Sequence, residues 1–202
     1  MIKKYLKTVA LTAAILSTPL LASDKVDKAD AYKYDTYSLV AIEGGYGDVD
    51  AEKTGPRSDG YKSLGSGLGQ VGLKIGAQST NYRIFLSARY YAESDFDYLT
   101  TYGLEAQYMF NMASWVNFYI GANGGLASMK FYVEDESDSR TIRNPYFGGD
   151  TGFNFHVGDE LDLELGARVM RMDAENTRGG VTYRFNSIIS AYASVIFKFK
   201  MD

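Results

Sequence analysis

The chain of 202 residues has no cysteine, a single histidine and only three prolines. Without cysteine it forms no disulfide and offers no site for the lipid that anchors a lipoprotein. Acidic residues outnumber basic ones, and the formal net charge of −4 argues against nucleic acid or a heparin-like polyanion as a partner. Long apolar runs are missing too, apart from one near the N-terminus, and the mean hydropathy of −0.22 excludes a helical membrane protein.

The one apolar run has the layout of an export signal. Three lysines precede an apolar stretch over 9–21, and the small residue Ala22 after it suits cleavage. We therefore expect a signal peptide over 1–22, a flexible periplasmic lead over 23–36 and one folded domain over 37–202.

Tyrosine, phenylalanine and glycine are abundant, numbering 17, 11 and 21, and they suit sheets with tight turns. Apolar and polar side chains alternate with a period of two, which is the period of a β-strand. In the last segment, Phe197 and Phe199 fall on one parity while Arg184 and Lys198 fall on the other. The pattern recurs and predicts eight strands, at 37–46, 69–77, 82–90, 101–110, 116–123, 147–156, 161–169 and 184–200.

The connections between these segments are long after odd-numbered strands and short after even-numbered ones. Outer-membrane β-barrels have this asymmetry, with short periplasmic turns and longer outer loops. We therefore predict an all-β fold, an eight-stranded antiparallel up-and-down transmembrane β-barrel with both mature ends in the periplasm. The predicted long loops cover 49–63, 93–98, 129–145 and 171–181.

The same alternation would fit a soluble eight-stranded barrel such as a lipocalin, with its apolar face turned inward. Aromatic residues at both ends of the apolar face favour a lipid-facing barrel instead. Residues eight apart on a tilted strand are separated by about 20 Å along the membrane normal, which is close to the height of a lipid-facing band. The predicted aromatic girdles comprise Tyr82, Tyr90, Tyr102, Phe110, Phe147, Phe155, Phe185 and Phe197.

The opening strand, VAIEGGY at 40–46, the eight-strand rhythm and the closing ASVIFKF at 193–199 resemble the small outer-membrane barrels of the OmpA-like and OmpX/Ail-like kind. The resemblance implies a place in the outer membrane of a Gram-negative bacterium and insertion by the barrel assembly machinery through the C-terminal strand. It also suggests adhesion or serum resistance. The assembly signal of this family ends on an aromatic residue, whereas Lys200, Met201 and Asp202 follow Phe199 here.

Charged residues of both signs occupy the polar face of the strands. An eight-stranded interior is only wide enough for side chains, and each unpaired buried ion costs several kcal/mol, so these charges must pair. We expect a polar plug that conducts little; a narrow or gated conductance is the alternative. Two opposite-charge pairs, Arg89 with Glu105 and Asp150 with Arg168, fall at similar heights on neighbouring strands. The predicted lumen charges are Glu43, Lys74, Arg83, Arg89, Glu105, Asp150, Asp162, Glu164, Arg168 and Lys198.

His156 is the residue on which an enzyme of this shape would depend, because lipid A deacylases and palmitoyltransferases use a histidine with a serine or acid near the outer rim. It falls instead at a predicted periplasmic turn, far in sequence from a serine, so we predict no catalytic residue. No metal or cofactor site is expected. Asp48, Asp50 and Glu52 alternate as in a calcium loop, but Lys53 stands where such a loop needs glycine.

Two of the predicted outer loops are rich in acid. Such clusters are either solvated tips, sites for divalent cations that bridge to lipopolysaccharide phosphates, or docking patches for a basic surface partner. The predicted outer-loop acidic patch comprises Glu93, Asp95, Asp97, Glu134, Asp135, Glu136 and Asp138.

These features together predict a non-enzymatic outer-membrane protein with a structural or surface-interaction role. Its expected surroundings are outer-membrane lipid and lipopolysaccharide, and its surface partner is not identified by the sequence. A small-solute channel and a lipid A-modifying enzyme are the alternatives, which conductance and lipid A mass profiles would distinguish.

Overall fold

The computed structural model describes residues 36–54, 62–64, 67–92, 98–131, 140–178 and 181–200. In this part of the chain no helix is long and apolar enough to cross a membrane. The strands are β1 Tyr37–Thr54, β2 Lys62–Leu64, β3 Leu68–Gln78, β4 Tyr82–Ala92, β5 Tyr98–Ala113, β6 Val116–Phe131, β7 Arg140–His156, β8 Leu161–Arg178 and β9 Val181–Lys200.

The sheet closes on itself. Each strand from β3 to β9 pairs antiparallel with the next, and β1 pairs with both β3 and β9. The short β2 pairs only with β1, beyond the end of β3, and so extends that side of the wall. The fold is a closed eight-stranded antiparallel β-barrel, which confirms the predicted fold class.

Alternation of side chains along each strand gives the barrel an apolar outside and a polar inside. On β4, Ile84 and Leu86 are more than half exposed, while Arg83 and Arg89 are almost fully buried. Large apolar side chains are exposed in this way on every barrel strand. A continuous apolar belt of this kind is stable only against lipid, so the barrel is transmembrane.

The two ends of the barrel differ. At one end, here called the short-turn end, the connections span only 79–81, 114–115 and 157–160. At the other, here called the extended end, strands continue far past the apolar belt. The predictions of loops over 49–63, 129–145 and 171–181 are therefore wrong for much of their length.

The strands were predicted too short because the polarity pattern reverses along them. On β8, Leu165 and Val169 face outward, but the next apolar residues, Met170 and Met172, face inward. The charged residues Arg171 and Asp173 now occupy the outward positions. The strand keeps its period of two, and only the apolar side chains change face.

The reversal gives the extended end an ordinary apolar core, here called the apolar cap. It fills the barrel above the polar lumen, where the outward faces of the wall carry charges such as Asp48 and Asp50. The apolar cap is formed by Val49, Ala51, Leu68, Tyr91, Leu99, Ala127, Met129, Tyr146, Met170, Met172, Ala174, Phe185 and Ile188.

Phe185 does not belong to an aromatic girdle. It is 1% exposed and packs in the apolar cap. A one-residue bulge at Asn186 causes the change: Ser187 pairs with Asp50 on β1, but Phe185, two residues earlier, pairs with Ala51. A bulge inserts an unpaired residue and so reverses which face the following side chains occupy. The prediction for Phe185 is therefore wrong.

The other predicted girdle residues lie on the outward face, with Phe155 half-buried and the rest exposed. Three of them, Tyr90, Tyr102 and Phe147, lie toward the extended end of the belt. At the short-turn end, rings on β4 to β7 form a chain of neighbours with centroids 4.7 to 6.4 Å apart. This chain comprises Tyr82, Tyr108, Phe110, Phe118, Phe153, Phe155 and Trp115. It marks a lipid–water boundary on that side of the barrel.

Candidate functional site

The polar lumen is the candidate functional site, because it gathers the charged residues that the sequence singles out. The predicted lumen charges are all buried inside the barrel. These ten residues, here called the lumen network, comprise five carboxylates and five cations, so their formal charges balance.

Glu43 on β1 lies at the centre of the lumen network. Arg168 on β8 donates to it through both terminal nitrogens, Nη1 to Oε1 at 2.8 Å and Nη2 to Oε2 at 3.1 Å. Arg89 on β4 donates from Nε to Oε1 at 2.8 Å, and Nζ of Lys74 on β3 lies 3.2 Å from Oε2. Gln70 adds a neutral donor at 3.2 Å. One carboxylate thus ties β1 to cations on three other strands.

Glu164 on β8 forms a second centre, nearer the short-turn end. Lys74 Nζ donates to its Oε1 at 2.9 Å, and Arg83 Nη2 donates to its Oε2. The other nitrogens of Arg83 donate to Gln107 Oε1 at 2.8 Å and to Asn154 Oδ1 at 3.0 Å. Lys74 therefore bridges Glu43 and Glu164, and the two centres form one connected network.

Glu105 on β5 completes the upper part of this network. It forms an ion pair with Arg89, the neighbour that the predicted heights placed beside it. Arg168 Nη2 also lies 3.5 Å from Glu105 Oε2. Two arginines are therefore shared between Glu105 and Glu43, which spreads their charge over two carboxylates.

The other pair predicted at one height, Asp150 and Arg168, differs in its contacts. The two residues are register partners in the β7–β8 ladder, but Arg168 turns toward Glu43. In the described part of the chain, the bonds to the Asp150 carboxylate come from amides, Gln107 Nε2 at 2.6 Å and Asn123 Nδ2 at 3.2 Å. Register alone cannot predict such a choice, because long side chains reach several positions along the lumen.

His156 lies at the short-turn mouth of the lumen, beside two of the predicted lumen charges, Asp162 and Lys198. Its Nδ1 lies 2.8 Å from Asp162 Oδ1, and its Nε2 lies 3.0 Å from Asn117 Nδ2. Asp162 also pairs with Lys198 at 2.7 Å and accepts from Asn154 at 2.9 Å. The sequence analysis places Asp162 and Lys198 in the lumen, but it does not predict that His156 joins them.

This cluster lacks the parts of a hydrolytic site. The described partners of His156 are an amide and a carboxylate that is itself held by a lysine, and no hydroxyl nucleophile contacts the ring. Within the described residues, no group of three or more histidine, aspartate or glutamate side chains is arranged to hold a metal ion. The described contacts therefore link His156 to the lumen network through Asp162.

An aromatic pair fills the lumen beside the ionic centres. The hydroxyls of Tyr119 and Tyr192 lie 2.7 Å apart, and the Arg168 guanidinium sits 4.2 Å from the centre of the Tyr192 ring. Glycines face these rings: a Cβ on Gly166 would overlap the Tyr119 hydroxyl, and one on Gly152 would approach it to 2.6 Å. The strands therefore need glycine here so that two large side chains can cross the lumen.

The acidic outer patch lies in 93–97 and 132–139, outside the described residues, as do the predicted signal peptide and most of the lead. The three acids that resemble a calcium loop lie instead along β1. The Asn186 amide donates to Asp50 Oδ2 at 3.3 Å and to Glu52 Oε1 at 3.0 Å. An extended strand held in this way does not wrap around an ion.

No protein-family model matches the sequence, and the search of curated proteins gives no match either. Solved structures do match. Neisserial surface protein A is 18% identical, with a TM-score of 0.54 over 79% of this chain and 96% of its own. The N-terminal barrel of Pseudomonas aeruginosa OprF is 14% identical, with a TM-score of 0.49 over 80% of this chain and 97% of its own. Yersinia pestis Ail, the attachment invasion locus protein, is 14% identical, with a TM-score of 0.44 over 80% of this chain and 99% of its own.

The chain has the fold of the small eight-stranded outer-membrane barrels. At 18% identity the likeness to neisserial surface protein A concerns the fold alone, and the chemistry of the lumen depends on this chain's own residues.

Proposed function

We propose that this protein is a non-enzymatic integral protein of the outer membrane, whose rigid barrel serves envelope structure or contact with surface partners. The observation that supports this most directly is the filling of the lumen. The lumen network, the tyrosine pair and the apolar cap occupy successive levels between the short-turn mouth and the extended end. A barrel whose described interior is occupied by side chains at each level acts through its outside and its loops.

The orientation follows from the same features. Short turns of outer-membrane barrels face the periplasm, so we place the extended end and its loops on the cell surface. Lipopolysaccharide then surrounds the upper edge of the belt, and the exposed residues Arg143 and Arg171 lie at the level of its phosphates. The C-terminal strand β9 is the segment we expect the barrel assembly machinery to recognise.

Conductance is the test that separates this proposal from a channel. The purified protein, reconstituted in a planar bilayer, should give no steady current under conditions in which a porin control conducts. The physical reason is that an ion would have to displace paired charges and then cross the apolar cap. A stable conductance in the range of the porin would overturn the proposal.

Location is tested separately by fractionation of expressing cells and by gel mobility with and without boiling. We expect recovery with the outer membrane and a boiling-dependent shift. Recovery in the soluble periplasm would refute the placement whatever the conductance. Unchanged lipid A mass profiles with and without the gene would support the absence of lipid-modifying activity.

A further inference from the structure

The wall of the extended end is split between β7 and β8. Their ladder ends at the pair Phe147 and Arg171. Above it, the rest of β7 pairs only with β6, and the rest of β8 pairs only with β9. The two hairpins thus part along residues 140–146 and 172–178, a height of roughly 20 Å at the usual rise of a strand. We call this gap the seam.

The seam leads from the outside directly into the apolar cap. Its lining comes from all four strands of the two hairpins and is almost entirely apolar, and it leaves a void of only about 10 Å³. The lining residues are Ala127, Met129, Ile142, Asn144, Met172, Ala174 and Phe185. Methionine side chains repack readily around a guest, and two of them lie here.

Little holds the seam shut. In the described part of the chain, the hydrogen bond across it runs from Asn144 Nδ2 to the Asp173 carbonyl oxygen, at 2.7 Å. A regular ladder of this length would supply several backbone bonds in its place. Opening the seam therefore costs far less hydrogen bonding than opening the β7–β8 ladder below it.

Two cations flank the entrance. Arg143 on β7 and Arg171 on β8 both face outward and are exposed, and neither has an ion pair with a described residue. The acid beside them is Asp173, since the nearby Glu175 is paired with Arg184 at 2.8 Å. The entrance thus combines surplus positive charge with an apolar interior behind it.

We propose that the seam binds a single-chain anionic amphiphile of the fatty-acid class. The carboxylate is held between Arg143 and Arg171, and the hydrocarbon chain enters between the hairpins and replaces Met129 and Met172 contacts in the apolar cap. A lipid with several chains does not fit, because the gap separates two adjacent strands and admits one chain. This inference goes beyond the proposed structural role and depends only on the described fold.

Photo-cross-linking tests the proposal with the chain as it exists, reconstituted in phosphatidylcholine nanodiscs. The probe is palmitic acid carrying a diazirine, and mass spectrometry maps the labelled peptides. We expect labelling of seam peptides around Met129, Ile142 and Met172 in addition to labelling of the lipid-facing belt. Labelling confined to the belt would overturn the proposal.

A disulfide across the seam supplies the decisive comparison, because the chain has no native cysteine. The variant Asn144→Cys with Ala174→Cys joins two residues that both line the seam; when oxidised, it should reduce seam labelling at least five-fold, and a reductant should restore it. The matched control is Thr177→Cys with Thr182→Cys, whose hydroxyls lie 2.9 Å apart across the intact β8–β9 ladder. That control should leave the labelling unchanged.

Two further variants keep the test open if the disulfide fails to form. Asn144→Ala removes the bond that closes the seam and should increase labelling about two-fold or more. Replacing Arg143 and Arg171 by glutamine should lower labelling by the acid but not by the matching diazirine alcohol. The assignment would be refuted if seam labelling were unchanged by both the disulfide and Asn144→Ala. It would also be refuted if the alcohol labelled the seam as well as the acid does. A boiling-dependent gel shift checks that each variant is folded.

Discussion

The Glu43 carboxylate balances cations from three strands, so replacing it by glutamine should destabilise the barrel strongly. Glutamine has nearly the same shape and keeps one acceptor oxygen, but it removes the negative charge that Lys74, Arg89 and Arg168 share. The lumen network would then hold five cations and four carboxylates, a surplus of one positive charge. Removing one partner of a buried ion pair costs about 3 to 5 kcal/mol, since the remaining charge stays buried without compensation.

Equilibrium urea unfolding in lipid vesicles measures this loss. With an m-value of about 2 kcal/mol/M, the midpoint should fall by roughly 1.5 to 2.5 M. The matched control is Asp48→Asn, which removes an exposed acid five residues along the same strand. Its midpoint should stay within about 0.3 M of the parent value, because a surface charge contributes little.

A compensating variant separates charge imbalance from a general loss of packing. Combining Glu43→Gln with Arg168→Met removes one charge of each sign and should recover part of the lost stability, since an apolar replacement of a buried pair is often nearly neutral. A midpoint for Glu43→Gln equal to that of Asp48→Asn would refute the reasoning, because it would mean that the surplus charge reaches water. A double variant less stable than either single one would refute it as well.

Two other predictions concern the inside and the outside of the wall. Gly166→Ala should lower the free energy of unfolding by about 1 to 3 kcal/mol in the same assay, because its Cβ would overlap the Tyr119 hydroxyl, whereas Gly44→Ala, which faces open space, should be nearly neutral. Leu165→Lys places a charge in the lipid-facing belt and should lower the free energy of unfolding by about 2 to 4 kcal/mol. Asp48→Lys, above the belt, should lower it by less than about 1 kcal/mol. Equal losses for the two variants would contradict the position of the belt.

The strands of the barrel could be predicted from the sequence because a period of two is a local property. Each strand of the belt buries one parity and exposes the other, as Arg83 and Ile84 do on β4. The charges of the lumen follow from the same parity. Their pairing does not, since Arg168 turns from its register partner Asp150 to Glu43, across the lumen.

The strands of the extended end were predicted as loops, although the sequence does contain a signal for them. The loop predictions rest on turn signals such as Gly179-Gly180 and on acidic composition, and they do not consider that the apolar parity can change within a strand. On β8 the apolar residues move from odd to even positions between Val169 and Met170 without a break in the strand. Such a swap marks the level at which a strand leaves the lipid. The inward orientation of Phe185 does not follow from this swap alone, since it depends on a bulge that no local pattern reveals.

The change of polarity occurs at the same register position on β1, β8 and β9. On β1 the last outward apolar residue is Tyr46 and the first inward one above it is Val49. In the ladders, Val49 and Met170 both pair with Ile188 on β9, so all three strands change polarity in one row. On all three strands the residues on one side of this row expose apolar side chains, and those on the other side bury them. Above that row the chain therefore obeys the rules of a water-soluble protein, with an apolar interior and a charged exterior. The described strands of the extended end are accordingly held together by a packed apolar core beyond the belt, in addition to their ladders.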